Sequence, residues 1–287
     1  MFLTPRIHCL ALIFLSVLIF AVHGSPVHLP SKPISTSALP ELWKAMRKAL
    51  GKDAATTKVS VGGGLYMQHR NIRSTRDIDV MIEHKGLNRK ILCQNIIAAD
   101  KRFTRNEEVV CGVTFRADRK KGPVIPIDLI DESVTKYMPT GIILSELKDT
   151  DIPWAEPQEV IKMKILSAED RLPEQKVKAI GDLKDAHDLI EQEKKQEEQK
   201  KGGVKTSYGV EMSYKGGEKA AITKALKEFF EKYPKESQWS EAEWKKEIGL
   251  DEEKEPGLNK GKNELDHHGG EKLGHHEGKE PGHDKKA

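Results

Sequence analysis

Residues 73–80 read Arg-Ser-Thr-Arg-Asp-Ile-Asp-Val, and they indicate the fold more clearly than any other part of the chain. The apolar residues from Ile78 onward predict a short strand on which Asp77 and Asp79 lie two positions apart. Side chains alternate between the two faces of a strand, so we expect both carboxylates to point to the same side. Neighbouring carboxylates repel each other unless a cation lies between them, which makes this pair a candidate metal site.

Two further motifs complete this interpretation. A β-branched run at 58–61 predicts a strand, and it ends in Gly62, Gly63 and Gly64. A glycine-rich turn between a strand and a helix lets backbone N–H groups come close to phosphate oxygens. Asp128 lies in an apolar run at 125–130 and is the natural third carboxylate from a neighbouring strand. Three such acids predict a two-metal site for Mg²⁺ or Mn²⁺.

Strands and helices alternate along the first half of the chain, and helices alone follow. The predicted strands are 58–61, 78–82, 109–115 and 124–130, and the predicted helices are 40–50, 87–99, 159–168, 177–192, 221–230 and a short one capped by Ser240. The basic segment 116–122 predicts a hairpin turn between two of the strands. This order predicts an α/β (α+β) fold with a mixed sheet flanked by helices, followed by a helical region.

Composition divides the 287 residues into five segments. Residues 1–24 have the pattern of a secretory signal peptide, so we expect export, with cleavage after Gly24. Their apolar run is shorter than the ~20 residues that a membrane span needs, so we expect no stable membrane insertion. Residues 25–38 predict a linker, 39–150 the catalytic core and 151–250 the helical region. Residues 251–287 lack aromatic side chains and are rich in Glu, Lys, Gly and His, which predicts a disordered tail.

Cys93 and Cys111 are the two cysteines that remain after the expected signal peptide is removed. In an oxidising compartment they could form a disulfide, and the alternative is two buried free thiols. The net charge of +3 argues neither for nor against a nucleic-acid partner. The paired histidines of the tail could bind transition metals weakly, although a solvated polar tail also explains them.

The motifs resemble those of the nucleotidyltransferase superfamily to which DNA polymerase β belongs. That family's signature is an apolar residue, Gly, then Gly or Ser, a spacer, an Asp-x-Asp strand and an acid on a later strand. Within it the sequence is most similar to AbiEii-type toxin nucleotidyltransferases, which share the Arg-x-Thr-x-Asp-Ile-Asp run. They also carry a helical tail with a lysine, a later arginine and an Asp-x-x-Asp-Leu motif, matched here by Lys164, Arg171 and residues 185–189. The resemblance covers roughly residues 40–192.

The resemblance implies transfer of a nucleoside monophosphate from an NTP, with pyrophosphate as the leaving group. Asp77 and Asp79 would hold both metal ions. Asp128 would hold the catalytic ion and help to deprotonate the acceptor hydroxyl. The glycine triplet would contact the β- and γ-phosphates, and Lys164 would neutralise triphosphate charge.

Other residues of these motifs leave alternatives open. The family often has a serine hydroxyl at the second or third glycine position, whereas Gly64 offers only its backbone, which implies a weaker grip on phosphate. Arg73 and Arg76 could bind the nucleotide or pair with the nearby acids. We expect Asp185 and Asp188 to be structural, paired with Arg171 or Lys184, and His187 to be a packed or exposed histidine.

Two functions follow from this sequence. In the first, the protein is an active nucleotidyltransferase whose acceptor is RNA (tRNA by the AbiEii resemblance), a protein or a small molecule. NTPs are scarce outside cells, so an exported enzyme would act in the secretory pathway or as an effector or toxin delivered into another cell. In the second, the chain is a catalytically inactive binding or effector protein of the same fold. The presence of three mutually repelling carboxylates favours the first function.

Overall fold

A six-stranded sheet with helices on both faces organises the protein in the computed structural model, which describes residues 33–250 except 110, 172–174, 202–209 and 211. The expected signal peptide, most of the linker and the tail lie outside the described residues. The strands are β1 (Lys58–Val61), β2 (Ile78–Glu83), β3 (Phe103–Arg105), β4 (Gly112–Phe115), β5 (Ile125–Asp131) and β6 (Ile142–Ile143).

Seven α-helices accompany the sheet in this described part of the chain. They are α1 (Leu39–Leu50), α2 (Gly63–His69), α3 (Arg89–Ala99), α4 (Pro157–Asp170), α5 (Lys176–Lys200), α6 (Glu218–Lys232) and α7 (Glu241–Glu247). Short 3₁₀ turns flank α1 at Thr36–Ala38 and Gly51–Ala55. Of the helices described, none combines the length and the apolar character that crossing a bilayer requires.

The strand order is β3-β4-β5-β2-β1-β6, and the sheet is mixed. β2 and β5 run parallel, while each of the other neighbouring pairs is antiparallel. A parallel pair needs a long crossover, which is supplied here by α3 and the β3–β4 hairpin. The parallel pairing places Asp79 opposite Asp128 in register, so the topology itself brings two of the candidate acids together.

The two faces of the sheet bury different sets of side chains. Ile78, Val80 and Ile82 alternate along β2 and pack with α1 and α3 in the first core. Met81 points the other way, into a second core built mainly from α4 to α7. Because side chains alternate, Asp79 and Asp128 share the face opposite the first core. The candidate acids therefore lie between the sheet and the C-terminal helices.

The last two helices pack on the rest of the protein. Phe229 of α6 and Trp244 of α7 are fully buried in the second core. Ser240 and Glu243 form the capping box that the sequence predicts, which fixes the start of α7. These helices are thus part of the core.

The structure confirms the mixed α/β architecture and the helical region that follows it. It corrects several boundaries. The strand predicted at 109–115 begins only at Gly112, and the helix predicted at 177–192 continues to Lys200. Ion pairs support this extension, including Lys194 with Glu191 at 3.2 Å. The short strands β3 and β6 were not predicted, because two or three residues are too few to show an alternating pattern.

Candidate functional site

Asp79 and Asp128 form the centre of the candidate site. They lie directly opposite each other on the parallel strands β2 and β5. Asp128 accepts a long hydrogen bond from Asn106, whose Nδ2 is 3.4 Å from Asp128 Oδ1. Both carboxylates are half-buried, so they are partly withdrawn from water while remaining accessible to a small ion.

Asp77 joins them from outside the strand. The sequence predicts Asp77 on a strand, but β2 begins one residue later at Ile78. The Thr75 hydroxyl donates to Asp77 Oδ1 at 2.8 Å and holds that carboxylate in place. One oxygen of each acid, from Asp77, Asp79 and Asp128, lies within 4.8 Å of the others. The structure therefore brings the three predicted acids together on one side of the sheet.

The glycine triplet makes room for these acids. Gly63 has a φ of +56°, and a Cβ there would lie 1.8 Å from Asp79 Oδ2. A Cβ on Gly64 would lie 2.2 Å from Thr75 Oγ1. The Gly64 N–H donates to Asp79 Oδ2 at 3.0 Å. Gly63 and Gly64 are thus required by close packing against Asp79 and Thr75, a role that is separate from the phosphate contact predicted for them.

The crowding of negative charge alters the acidity of the site. Burial, followed by the charge of Asp77, raises the pKa of Asp79, while the Gly64 N–H and Lys164 oppose this shift. Burial raises the pKa of Asp128 to about 7, with further contributions from Asp79 and Asp77. Without a cation, the site therefore holds protons that isolated aspartates would lose near pH 4.

A cleft of about 400 Å³ opens over Asp79 and Asp128. Its other walls include Arg171 and the α4 residues Met163 and Lys164. The volume lies in the range of small-molecule sites. The cleft thus has an acidic wall on the sheet. On the helices, Lys164 and Arg171 stand beside Asp170 and Asp182, and we call this side the basic wall.

The basic wall is a network in which three cations share two carboxylates. Lys164 is buried, and its Nζ lies 2.7 Å from Asp182 Oδ1 and 2.9 Å from Asp185 Oδ2. Arg171 also pairs with Asp182, and Arg73 pairs with Asp185 through two hydrogen bonds of 2.7 and 2.8 Å. Burial lowers the pKa of Lys164, but Asp182 and Asp185 outweigh it and raise the pKa overall, so Lys164 stays charged.

The remaining predicted residues take varied positions. Arg76 is exposed beside Asp77. Asp188 pairs with Lys184 and lies 3.0 Å from His187 Nδ1. The His187 ring packs edge-on against Trp239, with 4.3 Å between ring centroids. Asp188, Lys184 and His187 belong to the helical packing and stand apart from the acids. Whether Lys164, Arg73 and Arg76 contact a nucleotide stays a prediction.

Three residues of the site were missed from the sequence. Thr75 holds Asp77, Asn106 contacts Asp128, and Asp182 pairs with Lys164 and Arg171. Thr75 stands in the Arg-x-Thr-x-Asp run, which could have indicated it. Asp182 precedes Asp185 by three residues, a spacing that places both on one helix face. No signal indicates Asn106, because its contact depends on how the β3–β4 hairpin folds.

The donor set fits a hard divalent cation. All three groups are carboxylates, the ligands that Mg²⁺ and Mn²⁺ prefer. Burial and, after it, the charges of the neighbouring acids raise the pKa of Asp79 and Asp128, and a bound cation would offset both effects. The acids can therefore bind a divalent metal, and their chemistry alone does not select which one.

No family model and no curated protein matches the chain. The structure is similar to the crystal structure of an antigenic nucleotidyltransferase-like protein from Paracoccidioides brasiliensis, at 16% sequence identity and a TM-score of 0.37. The likeness covers 70% of this chain and 91% of that one. At this identity and TM-score we draw neither fold nor function from it.

We predict that Gly63→Ala damages the site beyond its effect on backbone strain. The new methyl group must displace the Asp79 carboxylate, so the variant should lose divalent-cation binding. The matched control is Gly51→Ala, because Gly51 has a φ of +57° and a Cβ added there would meet no atom within 4 Å. Both variants place a side chain at a positive φ, which costs about 1–3 kcal/mol. Chemical denaturation should show a further loss of about 2 kcal/mol in Gly63→Ala alone. Equal losses in the two variants would contradict this packing.

We predict that Asp128→Asn stabilises the metal-free protein at pH 8. A folded-state pKa of about 7 means that the native protein holds a proton that the unfolded chain releases near pH 4. Stability therefore falls as pH rises from about 4 to 7, and the uncharged asparagine avoids this loss. In chelator the melting temperature should rise by about 8–16 °C at pH 8 and by about a third as much at pH 5.

Added Mg²⁺ should raise the melting temperature of the wild type and leave that of Asp128→Asn unchanged. The control is Glu83→Gln, at the far end of β2, where Glu83 is exposed and pairs with Lys58 at 3.0 Å. Glu83→Gln should respond to pH and to Mg²⁺ as the wild type does. A lower melting temperature for Asp128→Asn at pH 8 would mean that burial and the neighbouring acids do not destabilise the Asp128 carboxylate in the folded protein.

Proposed function

We propose that this protein is a divalent-metal-dependent nucleotidyltransferase that transfers a nucleoside monophosphate from an NTP to an acceptor hydroxyl. The observation that carries the proposal is the gathering of Asp77, Asp79 and Asp128 within 4.8 Å of one another, with Asp79 and Asp128 lining the cleft. The motif order that resembles AbiEii-type enzymes supports the same proposal. We take Mg²⁺, or Mn²⁺ in its place, as the ion.

The roles of the acids follow from their positions. Asp79 on β2 and Asp77, just before β2, would hold the ions. Asp128 on β5 would be the third ligand. When bound, a divalent cation neutralises charge on the transferring phosphoryl group. The Asp128 carboxylate is the group that would take the proton from the acceptor hydroxyl, since it is half-buried and opens to the cleft. Thr75 and Asn106 would keep Asp77 and Asp128 in position.

The basic wall supports binding of an anionic substrate. Three cations share two carboxylates there, so the network has one excess positive charge. Lys164 and Arg171 line the same cleft as Asp79 and Asp128. A triphosphate bound between the walls would have metal-binding acids on one side and these cations on the other. We propose that Gly62, Gly63, Gly64, Arg73 and Arg76 complete the nucleotide site.

A cluster of exposed cations supports RNA as the acceptor. These residues lie in the β4–β5 loop and just before β3, at the end of the sheet where β2 begins beside Asp77. None of them makes an ion pair with any residue in the described ranges. They are Lys101, Arg116, Arg119, Lys120 and Lys121. Unpaired cations beside the site favour a polyanionic acceptor over a protein or a small molecule.

We also propose that the protein is exported and acts in a compartment that supplies NTPs. The signal-peptide pattern at 1–24 supports export, and an exported enzyme needs a compartment that supplies NTPs. Delivery into another cell, as an effector or toxin, provides one. The secretory pathway, where the enzyme would modify proteins, is another such compartment. Labelling of RNA would favour delivery into another cell, and labelling of protein would favour the secretory pathway.

A second function is favoured by one observation. Each cation of the basic wall already has a carboxylate partner, so a triphosphate must compete with Asp182 and Asp185 for Lys164. A protein of this kind could bind a ligand in the cleft without turnover. This alternative is a catalytically inactive binding or effector protein with the same fold.

We predict label transfer from an α-labelled NTP to RNA when the full chain is incubated with Mg²⁺ or Mn²⁺. Total RNA, total protein and a pool of small hydroxyl compounds are tested separately. Asp77→Asn, Asp79→Asn and Asp128→Asn should each lower the rate at least about a hundredfold, and chelator should abolish it. Glu83→Gln serves as the matched carboxylate control and should keep full activity.

The outcome distinguishes the two functions. Transfer to any acceptor that depends on the three acids supports the enzyme, and the labelled pool names the acceptor class. NTP binding by calorimetry without transfer to any pool supports the binding protein. Transfer that survives Asp79→Asn would show that this cleft is not the active site.

A further inference from the structure

Cys93 and Cys111 meet beside the candidate site. Cys93 lies on α3, and Cys111 immediately precedes β4. Their Sγ atoms are 3.1 Å apart, and each residue is only 7% exposed. The residues stand 18 positions apart in the chain and are joined through the β3 segment. The fold thus brings together two thiols from separate elements in a buried position.

Packing alone does not explain why the two sulfur atoms approach each other. A thiol is a weak donor and a weak acceptor, so a contact between two thiols contributes little stability. A disulfide needs its sulfur atoms at ~2.05 Å, so closure from the observed distance requires a movement of about 1 Å. We propose that Cys93 and Cys111 form a disulfide that holds Gly112 against Asp128.

The link to Asp128 runs through the backbone next to Cys111. The Cys111 carbonyl accepts from the Leu129 N–H at 3.2 Å, and Gly112 lies opposite Asp128 in the sheet. A Cβ on Gly112 would lie 3.0 Å from Asp128 Oδ1 and 2.7 Å from the Ile127 carbonyl oxygen. The space between the Gly112 backbone and the Asp128 carboxylate is therefore too narrow for a side chain. A bond that anchors Cys111 to α3 restricts the position of this carboxylate.

The chemistry of disulfide formation indicates at which stage of folding the bond forms. The two thiols lose two protons and two electrons, which a disulfide oxidant such as oxidised glutathione accepts as it is reduced to two thiols. The attacking species is a thiolate, and burial raises the pKa of Cys93, with the contact to Cys111 adding to the shift. The bond therefore forms while the chain is folding, before the pair is buried. Secretory compartments supply oxidants of this class.

Oxidative refolding tests the bond itself. The full chain carrying Cys9→Ser is denatured, reduced and refolded in a glutathione redox buffer, then denatured again with an alkylating reagent. Mass spectrometry should find a protein lighter by two hydrogen atoms, with no alkyl group, and two alkyl groups after reduction. Two alkylated or glutathionylated cysteines without reduction would overturn the proposal.

The effect on Asp128 is tested on the same protein and rests on the proposed function. The oxidised form should melt about 5–10 °C above the reduced form, because the bond closes an 18-residue separation in the unfolded chain. Calorimetry should show Mn²⁺ binding about three- to tenfold tighter in the oxidised form. The control is Cys93→Ser with Cys111→Ser, in which reductant should change neither quantity.

Equal Mn²⁺ affinity in the oxidised and reduced forms would overturn the positioning of Asp128, even where the mass shows the bond. Absence of Mn²⁺ binding in both forms would instead contradict the proposed function, and with it this effect on Asp128. Mass spectrometry alone shows whether the disulfide forms. Failure of the disulfide proposal can therefore be distinguished from failure of the proposed function.

Discussion

Electrostatic repulsion among Asp77, Asp79 and Asp128 is the constraint on which the site depends. Three carboxylates within 4.8 Å destabilise a folded protein unless charge of the opposite sign lies near them. The protein supplies part of that charge, through the Gly64 N–H and through Lys164 and Arg171 across the cleft. Burial, together with the remaining repulsion from Asp79 and Asp77, raises the pKa of Asp128. A divalent cation is the ligand that removes this repulsion, and this makes the arrangement more consistent with a functional site than with a structural one.

The need to accommodate three carboxylates in a small space also explains the packing around them. Gly63 and Gly64 have no side chain because Asp79 and Thr75 occupy the space that a Cβ would need. Lys164 lies on a buried helix, and a buried ammonium group is tolerated only with partners, which α5 provides as Asp182 and Asp185. The C-terminal helices therefore contribute to the site as well as to the core. Their carboxylates keep the basic wall charged while reducing its excess positive charge.

The sequence was enough to predict the strands that carry the acids, the glycine turn and the three acids themselves. Asp79 and Asp128 each have apolar neighbours on both sides in the sequence, and the glycines stand where β1 ends and α2 begins, so the local pattern was enough. What the sequence could not supply were contacts between distant elements. Asp182 and Asp185 are recognisable as a pair on one helix face, yet nothing local shows that Lys164 lies between them. Asn106 reaches Asp128 only because the short strand β3 folds back beside β4. The β2 boundary at Ile78, which leaves Asp77 outside the strand, is likewise set by pairing with β5.

The central claim is that the three acids form a single cation site, and titration calorimetry with Mn²⁺ tests it most directly. The full chain at pH about 7.5 should bind Mn²⁺, and each of Asp77→Asn, Asp79→Asn and Asp128→Asn should weaken that binding by about tenfold or more. Glu83→Gln should bind as the wild type does. If one of the three variants retains wild-type affinity, or if the wild type binds no Mn²⁺, the acids do not act together as one site.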